Sequence, residues 1–138
     1  MRTNLAQLLI AEERRLGNES DGGSHAAFRV CEKLRDPLCL LAGVGGYRSL
    51  LSRALVLAKG EAPILGGIQI KQDGSLGHSV ELEAQLHTEE AAKAGAILAR
   101  QLVDLLITFI GEALTLRLVQ GVWPNAALNS SKSGGKQS

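Results

Sequence analysis

The chain has 138 residues, 45% of them hydrophobic but only 3% aromatic, and fifteen basic against fourteen acidic residues leave a formal charge of +1. That length suits one domain with a modest core, and the scarcity of aromatic residues favours helices packed through Leu and Ala over a sandwich or barrel. A charge so close to neutral supplies no strong field for nucleic acid or an anionic membrane, so neither is expected as a partner.

Residues 1–16 read as an N-terminal amphipathic helix, with Leu5, Leu8, Leu9 and Leu16 set against Glu12, Glu13, Arg14 and Arg15. The apolar stretch is too short for a secretory signal and has no small-residue cleavage site, so a cytoplasmic location is expected. Residues 17–24, dominated by Gly, Asn, Ser and Asp, read as a flexible linker to a core domain at 25–123.

A helix begins at Ser24 and carries Ala27, Val30, Cys31 and Leu34 to about Arg35, where Asp36-Pro37 forms a cap and first-position pair that predicts a kink or a restart. Leu38, Leu40, Leu41 and Val44 continue the apolar surface. The run Gly43-Val44-Gly45-Gly46 weakens the helix, Tyr47 to Lys59 resumes it, and Gly60 stops it. On one helix Cys31 and Cys39 would lie about 12 Å apart along the axis, too far for a disulfide, so both are expected as free thiols. His25, His78 and His87 show no ligand spacing with each other or with the cysteines, and no metal site is expected.

The residues Glu32-Lys33-Leu34-Arg35-Asp36-Pro37-Leu38, followed by Gly46-Tyr47-Arg48-Ser49-Leu50-Leu51, resemble the H-box and succeeding Gly-Tyr-x-x-Leu-Leu of histidine kinase dimerisation and phosphotransfer domains. Glu32 stands where those domains carry the phosphoacceptor histidine. The resemblance therefore implies a degenerate or accessory signalling module, without phosphotransfer, that pairs into a four-helix bundle and exposes Glu32 one turn before Pro37. The same glycine run, ahead of Arg48 and Arg53, offers either a bend or a cradle for a small anion; it lacks the Lys-Ser or Lys-Thr ending of a P-loop, and the bend is preferred.

Residues 64–83 change character. Ile68, Gln69, Ile70 and Lys71 alternate like a half-buried strand, Asp73-Gly74 is a hairpin turn, and His78 to Glu83 alternates again through Val80 and Leu82. A small β-hairpin inserted between helices is predicted.

Thr88, followed by Glu89 and Glu90, marks a helix start, and no proline recurs before Pro124. Gly95 and Gly111 cost only about 1 kcal/mol each inside a helix, which favours one helix over 89–123. At about 50 Å it would overhang a domain with a radius of gyration of about 14 Å, unless it breaks near Gly111 or a partner covers it. Leu98, Leu102, Leu105, Phe109, Leu116, Val119 and Trp123 follow a coiled-coil seam and are the expected interface. A second row through Val103, Leu106, Ile107, Ile110, Ala113 and Leu114 makes the apolar face wide enough for a bundle. Arg100, Gln101, Asp104, Thr108 and Thr115 take the side expected to face water. Arg117 projects between Leu106, Ile110 and Ala113, so a buried ion pair is expected there, with Asp36, Glu32 or a subunit-related Glu112 as the partner. Arg100, Asp104, Glu112 and Arg117 also argue against a membrane span, since each would cost about 2.5–3.5 kcal/mol at the bilayer centre. Residues 124–138, rich in Asn, Ser, Gly and Lys, are expected to be a disordered tail.

Together these readings predict a mainly α protein, a helical bundle with a small β-hairpin insert, assembled as a homodimer. No catalytic constellation or cofactor site emerges. The expected role is a non-enzymatic cytoplasmic interaction or regulatory module that self-associates through long apolar helices and has room for a further protein partner.

Overall fold

The computed structural model describes residues 2–16, 24–85 and 88–124. The elements in chain order are α1 (Arg2–Leu16), α2 (Ser24–Glu61), a short 3-10 turn (Pro63–Gly67), β1 (Ile68–Ile70), β2 (Leu76–His78), α3 (Val80–Gln85), α4 (Glu89–Ile110) and α5 (Glu112–Val122). The protein is mainly helical with one two-stranded antiparallel sheet. The linker expected before Ser24 and the tail after Pro124 lie outside the described residues.

Helix α2 runs through Pro37 without breaking and breaks instead at Gly43. A proline costs about 3 kcal/mol inside a helix. Here Leu34 and Leu38 on either side of it are both fully buried, and their burial outweighs that cost. Gly43 has φ +81° and ψ 162°, a conformation accessible essentially to glycine alone. The chain reverses there. The Tyr47 hydroxyl donates to the Cys31 carbonyl at 3.0 Å, although sixteen residues of straight helix would separate the two by roughly 24 Å. The arms 24–42 and 44–61 therefore form a helical hairpin, closed by a buried Tyr47.

The same device ends the long C-terminal helix. Gly111, at φ +89° and ψ 158°, separates α4 from α5, in place of the single helix expected over 89–123. Its amide donates to the Ile107 carbonyl at 2.9 Å, and its own carbonyl accepts from the Thr115 amide and hydroxyl at 3.1 and 2.8 Å, so the helical bonding pattern runs up to this residue from both sides. The start is as expected: the Thr88 hydroxyl accepts from the Ala91 amide at 3.2 Å.

Helix α4 packs chiefly on α2, and α1 lies antiparallel along α4, with Ala6 beside Arg100 and Arg14 beside Glu89. The core is aliphatic: Leu9, Leu34, Leu38, Leu51, Leu65, Leu98, Leu102 and Leu106 are all fully buried. α2 and α4 approach closely at Gly95, where an added Cβ would lie 2.9 Å from the Ala27 Cβ. A glycine that looks like a helix defect in sequence is therefore the contact that lets α4 approach α2.

The hairpin pairs Ile68 with His78, Gln69 with Gly77 and Ile70 with Leu76. Its turn falls at Asp73-Gly74 as expected; Gly74 has φ +89°, and the Asp73 carboxylate accepts from the Ser75 amide and hydroxyl at 3.0 and 2.6 Å. The second strand, expected over residues 78–83, ends at His78, and α3 takes its place. Ser79 accepts from the Leu82 amide at 3.2 Å and caps that helix. Residues two apart share a face in a strand but sit about 200° apart on a helix, which is why Val80 is exposed while Leu82 is buried.

Candidate functional site

The two glycine turns meet at one groove. Leu38, Leu41, Ala42, Gly46, Ser49, Leu50 and Arg53 line it from the arms of α2, and Leu106, Phe109 and Ile110 from the end of α4. Its volume is about 670 Å³. The residues around Gly43 reach this end of the bundle with no charged group between Asp36 and Arg48, so the rim is apolar: Leu40 is 90% exposed, Phe109 65%, and Leu41 and Val44 are also exposed. Single exposed apolar residues are ordinary on a soluble surface, but a cluster around a concave apolar groove marks a contact site.

Residues 26–61 are long and apolar enough to cross a membrane by length and composition. The stretch with fewest charges, 37–58, contains only Arg48 and Arg53, but the turn at Gly43 lies within it, so it forms no straight span.

Most of the expected interface belongs to the protomer's own core. Leu98, Leu102, Val119 and Trp123 are fully buried, Leu105 and Leu116 partly so, and only Phe109 remains exposed. α2 and α1 cover the first half of the seam on α4, and the break at Gly111 lets Val119 and Trp123 of the second half reach the core. The break also turns some residues of α5 away from the face a continuous helix would give them, although Val119 and Trp123 stay in the core. Arg117 and Glu112, expected in a buried ion pair, the latter from a second subunit, are both exposed on the protomer, whereas Thr115, expected to face water, is fully buried. On α4, Arg100 and Gln101 are half-buried and both donate to Glu61, at 2.8 and 3.0 Å.

The buried carboxylate lies elsewhere. Glu13, 1% exposed, accepts from Arg29 Nε at 3.0 Å, Lys33 Nζ at 2.6 Å and Trp123 Nε1 at 2.7 Å, tying α1 and α2 to the residue that ends α5. Burial pushes its pKa up, but the hydrogen bonds from Lys33, Trp123 and Arg29 act against it, and the carboxyl settles below its ordinary value. A signal for this was present in α1: Glu13 falls four residues after Leu9 on the stripe that carries Leu5 and Ala6, all of them buried.

Glu32 is half-buried, and its carboxylate accepts from the Leu76 amide at 2.8 Å. Arg35, one turn on, reaches the Asp73 carbonyl and carboxylate, both at 3.3 Å. The residues that resemble an H-box thus fasten the β-hairpin to α2, and the Gly43 to Gly46 run makes a helical turn. Cys31 and Cys39 are free, and burial, with help from the Glu32 charge, pushes the Cys31 thiol up to about 12. Among the described residues no group of three or more His, Cys, Asp or Glu is placed to hold a metal ion.

No family model, curated protein or solved structure matches the chain.

Proposed function

We propose that this chain is a non-enzymatic cytoplasmic interaction module that self-associates through the apolar end of its bundle. Because Gly111 ends α4 and most of the α4 and α5 seam is buried in the protomer, self-association rests on a different surface. The observation that carries it is the pairing of a knob with a hole: Phe109 projects at the rim of a groove large enough to receive a side chain of its size. In a two-fold contact each Phe109 would enter the partner's groove while Leu40, Leu41 and Val44 close around it. A regulatory role through a further protein partner would use the same surface.

The side-chain chemistry is compatible with a non-enzymatic role. Cys31 is buried and held as the neutral thiol, a poor nucleophile. Glu13 is fully engaged with three donors. Sedimentation equilibrium from low to high micromolar concentration tests the proposal: a concentration-dependent dimer is expected, and a folded monomer throughout that range rejects it.

A further inference from the structure

We infer that the groove is also a binding site for a single-chain amphiphile with an anionic head, the chain lying between α2 and α4 and the head at Arg53. The cleft of about 670 Å³ falls within the roughly 300–1,000 Å³ typical of small-molecule sites. Leu38, Leu50, Leu106 and Ile110 make its walls aliphatic. Apart from the rim residue Phe109 it offers no ring to stack on. Among the described residues its polar side chains are Ser49 and Arg53, which lie four residues apart on one face of α2 and are both exposed. A flexible hydrocarbon chain needs apolar walls and one polar mouth, whereas a heterocycle would need donors or acceptors inside the cleft.

The charge of the head follows from Arg53. Arg29, Lys33, Arg35 and Arg100 each lie within 4 Å of a carboxylate, but among the described residues Arg53 has no such partner. An arginine beside an apolar cleft is suited to receive a carboxylate through two parallel hydrogen bonds and to repel a cationic head. The hydrocarbon chain would take the space that the partner's Phe109 enters, so binding is titrated at concentrations where the protein is monomeric and should oppose self-association.

The test is calorimetric titration of the full chain with dodecanoate and, separately, with dodecyltrimethylammonium, both below their micellar concentrations. Saturable binding of one dodecanoate per chain is expected, at least tenfold tighter than the cationic probe. Arg53→Gln should remove that preference, and Ser49→Trp, which fills the mouth from an exposed position, should abolish binding of both probes in a variant whose thermal melt matches wild type. Absence of saturable binding, equal affinity for the two heads, or full binding to a folded Ser49→Trp overturns the inference. So does co-sedimentation with phosphatidylglycerol vesicles without dodecanoate binding, which would make the surface a membrane contact instead. Sedimentation run in parallel separates the two readings, because self-association without dodecanoate binding rejects this site and leaves the module reading intact.

Discussion

The indole Nε1 of Trp123 donates to Oε2 of Glu13 at 2.7 Å, joining the residue that closes α5 to the first helix across 110 positions of sequence. Because Arg29 and Lys33 bind the same carboxylate, one side chain holds three parts of the chain together. Glu13→Ala should therefore destabilise the fold by about 2–3 kcal/mol in urea denaturation, since it leaves a buried indole donor without its acceptor and takes the carboxylate away from Arg29 and Lys33. The two cations are themselves partly exposed and can turn to water, which keeps the cost below that of a fully buried ion pair. A double-mutant cycle with Trp123→Phe should give a coupling energy of about 0.5–3 kcal/mol, and a value near zero would show that the bond contributes nothing to stability.

The same cluster sets an acid limit. The Glu13 carboxyl lies below its ordinary value when folded, so its contribution to stability is complete above the unfolded carboxylate range and is lost as pH falls through the folded value. Wild type should thus lose stability more steeply than Glu13→Gln between pH 5 and 3, narrowing the gap between them. Denaturation midpoints across that range provide the measurement, and a constant gap would place the acid sensitivity in other groups.

How much of this was readable beforehand depended on whether the signal was local. The Thr88 cap, the Asp73-Gly74 turn and the mainly helical architecture follow from short-range chemistry, and all three are found. Gly111 could be read two ways, because a glycine is tolerated inside a helix and is also required at a turn of positive φ, and only tertiary contacts decide between them. Arg117, Glu112 and Thr115 fall on other faces than a continuous helix would give them, whereas Val119 and Trp123, also past the break, keep the buried side expected of them. The burial of Glu13 depends on three donors distant in sequence, so only the apolar stripe of α1 hinted at it. The groove requires both reversals at once, and its lining residues are scattered from Leu38 to Ile110.

The break at Gly111 makes a clear contrast with Gly121. An added Cβ at either position meets nothing within 4 Å, but Gly111 sits at φ +89°, and Gly121 lies within α5 without a positive φ. Gly111→Ala should cost about 1–2 kcal/mol and favour straightening of α4 into α5, which would draw Trp123 from the core and red-shift its fluorescence. Gly121→Ala should be neutral or stabilising by up to about 1 kcal/mol. Equal effects of the two in thermal melts would contradict the assigned geometry at Gly111.

Core and contact surface can be separated on one helix. Leu102 is fully buried and Phe109, two turns further along α4, is 65% exposed. A charge at Leu102 has no solvent to reach, so Leu102→Asp should unfold the chain at room temperature, its cost exceeding the roughly 2–5 kcal/mol of a simple cavity. Phe109→Asp removes an apolar surface group and should leave the circular dichroism and the melting temperature of the protomer nearly unchanged while shifting the sedimentation profile to monomer. If Phe109→Asp unfolds the chain as Leu102→Asp does, Phe109 belongs to the core; if it leaves both fold and assembly untouched, the groove end is not where two copies meet.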